Sequence, residues 1–175
     1  MINGIVCVDK NFAIGKNNAE GKPQLLFNIS ADMAYFKEKT LHNIVVMGYT
    51  TYLSLPKKPL SDRVNLVLWD KATSPDCLKG CITFNNFDVL LKFVKELSKI
   101  YEVFVIGGAS VYNLFMPYYD RLFITKVAAE DKEATAFFPN IDKDTNFELV
   151  SKMNYAPKNE YPLSFTIYSR IKENK

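Results

Sequence analysis

The run Val103-Phe104-Val105-Ile106-Gly107-Gly108-Ala109-Ser110-Val111-Tyr112 decides the fold. Its first four residues are apolar and mostly β-branched, which reads as a strand buried on both faces, and the run stops at two glycines. From Ala109 to Met116 the large residues Tyr112, Phe115 and Met116 fall at helical spacing, and Pro117 is expected to close the helix. A strand that turns through Gly-Gly into a helix leaves backbone N–H groups uncovered at the helix start. Two readings stay open: a tight strand-to-helix connection, or a socket for an anionic group.

Working outward, a second junction of the same kind follows Asn43 to Met47, where Gly48 leads into a short helix with Thr50 and Thr51 in its first turn. Two such corners in one sheet suit the two phosphates of a dinucleotide. Ile2 to Val8 reads as a central strand, and Lys16 to Pro23 as a polar lid loop without periodicity. Ser30 is a good N-cap for a helix from about Ala31 to Leu41. On that helix Asp32 and Phe36 share a face, with Tyr35 beside them. Asp32 either complements the helix dipole or is an ion held in an apolar cleft for an amidine-like ligand.

Arg63 to Leu68, Gly80 to Phe84, Tyr101 to Ile106 and Arg121 to Val127 read as further strands, and Asn86 to Ser98 as an amphipathic helix. Phe147 to Met153 and Leu163 to Ile171 alternate as a terminal antiparallel hairpin. The expected architecture is α/β, a single domain over residues 1–175. A mixed, mostly parallel central sheet of about eight strands carries flanking helices and the C-terminal hairpin.

Composition narrows the function classes. Of 175 residues, 22 are basic and 19 acidic, spread along the chain, so no nucleic-acid surface is expected. No apolar run approaches the roughly 20 residues of a membrane span, and the first residues carry no basic leader, so a cytoplasmic protein without membrane partners is expected. One histidine, His42, leaves triads and histidine metal clusters without material. Cys7, Cys77 and Cys81 include a CxxxC without a second ligand pair, so no metal is expected.

Taken together the pieces resemble the dihydrofolate reductase family over nearly the whole chain. They are Ile14-Gly15 before the lid, Ala31-Asp32 with Phe36, Val46-Met47-Gly48 with Thr50-Thr51, Arg63, Ile106-Gly107-Gly108 with Tyr112, Thr125, and Phe138-Pro139. The resemblance implies reduction of a dihydropterin by hydride from a reduced nicotinamide dinucleotide. Asp32 would hydrogen-bond the pterin edge and favour protonation of N5, oriented by the Thr125 hydroxyl. Ile5, Cys7, Phe36, Leu55 and Ile106 would form dry walls. Arg63 would grip the glutamate α-carboxylate of dihydrofolate, a task suited to a guanidinium. The cofactor, NADPH, would lie along Cys7, Ile14, Gly48, Tyr49, Thr50, Thr51, Leu68, Trp69, Asp70, Lys71, Gly107, Gly108, Ala109, Ser110, Val111 and Tyr112. The Gly107-Gly108 bond is the one that is cis in the family, and a monomer is expected.

The chain departs from the family in two places. Its lid is longer, with Leu26-Phe27 where a Pro-Trp pair is usual. The positions that commonly grip a 2′-phosphate read Tyr49, Trp69-Asp70 and Ser110, with Lys71 next door. A relaxed preference for NADPH, with NADH usable, follows from these changes. Two alternatives remain: a riboflavin-pathway-type reductase on the same fold, and a non-catalytic nucleotide-binding structural module.

Overall fold

The computed structural model describes residues 1–69, 78–156 and 158–171. Eight strands form one sheet: β1 (Ile2–Val8), β4 (Ile44–Gly48), β5 (Val64–Leu68), β6 (Cys81–Phe84), β7 (Val103–Gly107), β8 (Arg121–Val127), β10 (Phe147–Tyr155) and β11 (Leu163–Arg170). Their order is β10-β11-β8-β1-β7-β4-β5-β6. From β8 through to β6 the neighbours run parallel, and only β11 and its edge partner β10 pair antiparallel. The expected α/β architecture with its terminal hairpin is the one observed.

The quoted run places β7 at the centre, between β1 and β4. Val103 and Val105 enter the larger core with α3 (Phe87–Leu97) and α4 (Ala109–Phe115), while Phe104 and Ile106 face α1 (Ser30–Thr40) and α2 (Tyr49–Ser54). Helices therefore cover both faces, which is why the parallel strands read as continuous apolar runs. The register of β7 against β4 slips after Val46, so that Met47 pairs with Gly107 and Ile106 is the extra residue. Such a bulge re-aims a side chain at the end of a strand.

Three expectations need correction. The lid is not structureless: β2 (Ala13–Asn17) and β3 (Pro23–Leu25) form a hairpin, and β2 also pairs with β9 (Ala136–Phe137). Lys16 Nζ lies 2.7 Å from Asp131 Oδ2, and the Thr135 N–H donates to the Gly15 carbonyl, so tertiary partners order a segment that lacks a period of its own. Ser30 does not cap α1 but is its first residue. The N-cap is Ile29, without a side-chain cap bond, and the Ser30 N–H is satisfied by Glu160 Oε1 at 2.9 Å. As expected, α4 ends before Pro117. That proline sits in a 3-10 turn, Met116–Tyr118, that tolerates a missing N–H at its start, and Arg170 donates to the Met116 and Tyr119 carbonyls. Finally β10 runs on to Tyr155 and carries a bulge between Leu149 and Ser151.

Cys7 and Cys81 are free thiols, and Cys77 lies outside the described residues. Among the described residues no cluster of three or more potential metal ligands occurs, and no helix is long and apolar enough to cross a membrane.

Candidate active site

The C-terminal ends of the parallel strands bring the expected residues together, the place where open α/β sheets bind ligands. Cys7 of β1 and Thr125 of β8 are direct register partners, so both side chains leave the sheet on the face that α1 covers. Asp32, in the first turn of α1, belongs to the same neighbourhood, and its proton affinity feels the Thr125 hydroxyl and the Cys7 thiol as neutral donors. Burial pushes the Asp32 carboxyl up from its ordinary value, and the two donors pull only part of the way back. No cation contributes to holding it down. Thr125 is 2 % exposed, and Tyr35, one turn along α1 from the acid, lies tilted against Phe165 with 4.5 Å between centroids.

The apolar walls assemble in part as expected. Ile5 packs with Phe104 and Phe123, and Phe36 and Ile106 lie against that cluster. Leu55 joins Ile106 on the neighbouring cluster around Val45 and Met47. The bulge in β7 thus sets Ile106 between two groups of walls.

Arg63 stands at the other end of the same helix. Its Nη1 donates to Thr40 Oγ1 at 3.0 Å, and that hydroxyl donates to the Phe36 carbonyl at 2.8 Å. Burial lowers the guanidinium's proton affinity, with Asp62 opposing, and no carboxylate among the described residues forms an ion pair with it. Asp32 and Thr40 are eight residues apart, so the acid and the partner of the guanidinium are separated by about 12 Å along α1.

The two glycine corners abut. A Cβ on Gly48 would come 3.1 Å from Val111 Cγ2 and 3.9 Å from the Gly108 nitrogen; one on Gly108 would come 3.2 Å from Thr51 Oγ1. Gly107 has φ +120°, open only to glycine, and a Cβ there would press on the Tyr112 ring at 3.2 Å. The Gly107-Gly108 peptide is cis. Below the corner Tyr112 donates to the Ile5 carbonyl at 2.7 Å, and Tyr119 donates to the Tyr112 carbonyl at 3.2 Å, tying α4 to β1. Thr50 and Ser110 are exposed and Ala109 half-buried at the rim, while Ile14 and Leu68 lean on the core. Tyr49 meets Trp69 edge to face, with ring centroids 3.5 Å apart. Asp70 and Lys71 lie outside the described residues.

Sequence reasoning placed Cys7 as a wall and along the cofactor; that it stands beside Thr125 needed the β1–β8 register. It also missed Asp9, buried at 2 % exposure, whose carboxylate accepts N–H bonds from Asn11, Ala13 and Asp131 and so fixes the root of the lid. A cavity of about 480 Å³ opens elsewhere, by Phe12, Lys126, Tyr155 and Leu163. Of its charged lining, Lys126 and Asp142 are paired with each other, and Asp9 is taken up by backbone N–H groups.

Comparison with known proteins agrees with this geometry. The family model described as dihydrofolate reductase matches residues 1–170. Dihydrofolate reductase of Bacillus subtilis (strain 168) is 35% identical over 179 residues, covering 100% of this chain and 98% of that one. That of Rattus norvegicus is 35% identical over 189 residues, covering 99% and 91%. A solved structure of dihydrofolate reductase from Enterococcus faecalis, complexed with NADP(H) and RAB-propyl, superposes with a TM-score of 0.81 at 26% identity, covering 98% of this chain and 97% of that one.

Proposed function

The chain belongs to the dihydrofolate reductase family, and from that premise we infer how its residues divide the work. The reaction is the NADPH-dependent reduction of 7,8-dihydrofolate to 5,6,7,8-tetrahydrofolate, with protonation at N5. The observation that carries the assignment is Asp32: a part-buried carboxylate in the first turn of α1 whose proton affinity burial raises, with the neutral Thr125 and Cys7 as neighbours and no cation holding it down.

Asp32 accepts hydrogen bonds from the amidine-like edge of the pterin and draws a proton toward N5. The carbon next to that nitrogen becomes a good hydride acceptor only as N5 gains its proton, so an acid on this edge is needed. Thr125 fixes the carboxylate's direction. Ile5, Cys7, Phe36, Leu55 and Ile106 keep the ring in a dry slot where that charge is felt strongly. Arg63, braced on Thr40, pairs with the α-carboxylate of the glutamate tail. The corners at Gly48, Thr50, Thr51 and Gly107 to Tyr112 fit a dinucleotide's phosphates, because backbone stands where a side chain would intrude. When bound, the cofactor would supply the hydride, and Cys7 and Ile14 are among the residues that would hold it. Residues 1–175 are taken as one unit acting as a cytoplasmic monomer on a small molecule, without nucleic-acid or membrane partners.

Steady-state oxidation of reduced nicotinamide with dihydrofolate tests the assignment, and tight antifolate binding strengthened by NADPH supports it. Neither would be seen with a riboflavin-pathway-type reductase or a structural module. The adenosine end adds a finer expectation. Tyr49 and Trp69, with Asp70 and Lys71 beyond the described residues, put aromatic rings where a 2′-phosphate would seek a cation. NADPH is expected to exceed NADH in kcat/KM by less than about a thousandfold, roughly 4 kcal/mol; a larger ratio rules the relaxed preference out.

A further inference from the structure

We propose that Thr40 is a positioning residue that sets the preference of this site for dihydropterins carrying a carboxylate tail: its buried hydroxyl fixes the orientation of the Arg63 guanidinium before substrate arrives. The inference rests on the reading of Arg63 as the grip on the glutamate α-carboxylate, and it adds what makes that grip rigid.

The backbone around Arg63 is fixed first. The His42 N–H donates to the Asp62 carbonyl at 2.8 Å, and the Val64 N–H donates to the Asn43 carbonyl at 3.1 Å. Both neighbours of Arg63 are thus tied to the segment that leaves α1. An arginine side chain on that footing still has many rotamers, and a carboxylate that had to freeze them would be bound more weakly. Two bonds remove that freedom in advance. Arg63 Nε donates to the Ser61 carbonyl at 2.9 Å, and Nη1 donates to Thr40 Oγ1 at 3.0 Å.

Thr40 is suited to the task by burial and by the direction of its hydroxyl. It is 0 % exposed, at the last position of α1, and its own hydrogen is given to the Phe36 carbonyl at 2.8 Å. Its oxygen therefore meets the guanidinium as an acceptor only. A bond to the carbonyl four residues back is ordinary for a helical threonine; the bond from a side chain 23 residues away in sequence is not part of any helix. A neutral acceptor also leaves the charge of Arg63 unspent, whereas a carboxylate in the same place would compete with the tail. Of the five N–H groups of a guanidinium, Ser61 and Thr40 take one each among the described residues, and a bidentate carboxylate needs two of the rest. The chain from Phe36 through Thr40 to Arg63 joins the residue that would wall the ring to the one that would hold the tail, so the spacing of the two grips is built into α1.

The experiment compares Thr40→Val, Thr40→Ser and Arg63→Leu with the parent in steady-state kinetics on two substrates. One is dihydrofolate; the other is 6-methyl-7,8-dihydropterin, which has the ring and no glutamate. Thr40→Val is expected to raise KM for dihydrofolate about tenfold with kcat within about twofold of the parent, and to leave kcat/KM for the tail-less pterin within about twofold. Thr40→Ser should restore KM for dihydrofolate, and Thr40→Val added to Arg63→Leu should cost nothing further. A Thr40→Val enzyme with parental KM for dihydrofolate overturns the proposal. So does one that handles both substrates equally worse, the mark of a helix merely loosened. Arg63→Leu separates these failures from that of the underlying reading: if it weakens both substrates alike, Arg63 does not hold the tail, and the role of Thr40 falls with it. Should Thr40→Val not fold, Thr40→Ala takes its place in the same comparison.

Discussion

Thr125 and Lys126 are consecutive residues of β8, and each serves an aspartate on an opposite face of the sheet. Thr125 meets Asp32 under α1. Lys126 Nζ sits 2.6 and 2.7 Å from the two carboxylate oxygens of Asp142 and 2.8 Å from the Tyr168 hydroxyl, which itself donates to Asp142. Burial raises Asp142, yet the bonds from Lys126 and Tyr168 outweigh it, and the carboxyl is held below its ordinary value. Burial raises Asp32 and its two neutral donors do not undo it. One carboxylate is satisfied by the fold; the other is left for something the fold does not contain.

The contrast makes opposite demands on stability. Asp32 binds its proton more tightly folded than unfolded. Its favourable contribution is therefore complete below the ordinary carboxylate pKa and disappears as pH rises through the higher folded value. Asp142 behaves the other way: its contribution is present above the ordinary value and is lost as pH falls through the lower folded one.

The largest expected effect is that of Asp32→Asn. At pH 7 its kcat/KM for dihydrofolate should fall by about 10²- to 10⁴-fold, recovering toward low pH where the substrate is protonated beforehand. Its thermal midpoint at pH 7 should equal or exceed the parent's, and that advantage should vanish in acid. A variant that turns over at near-parent rate at pH 7 would remove the distinction between the two aspartates. Next comes Thr125→Val, expected to cost about tenfold in kcat/KM and to move the lower limb of the pH profile upward, because a donor to the charged form is gone. The smallest is Lys126→Met, which should lower stability by about 1 kcal/mol in urea titration at pH 7 and flatten the acid limb of the stability curve. Steady-state kcat should stay at the parent value. A kcat that dropped with it would mean that the two faces are coupled through β8.

The sequence made the fold legible where apolar runs ended in glycine. Val103 to Gly108 and Ile44 to Gly48 were readable because strands buried on both faces have an unbroken apolar signature, and glycine marks where the backbone must stay bare. The start of α1 was misread because Ser30 has the chemistry of a cap, whereas Glu160, distant in sequence, satisfies its N–H. The lid hairpin was hidden for a similar reason: its order comes from Asp131, Thr135 and β9, not from local pattern. At the site, Asp32 and Phe36 were legible from helical spacing. The pairing of Cys7 with Thr125 was not, since a strand pattern reveals which face a residue takes but not which residue of another strand stands beside it.

The bond from Ser30 to Glu160 has a consequence for evolution and engineering. The helix that bears the acid begins two residues before it, at a peptide group whose partner belongs to the crossover between β10 and β11. β10 is the outermost strand, solvent-exposed along nearly all its length beyond Phe147, and so among the segments expected to fray first. Insertions or deletions in that crossover, which look harmless on the surface, would shift the footing of Asp32 and alter turnover without touching a single group in the cleft.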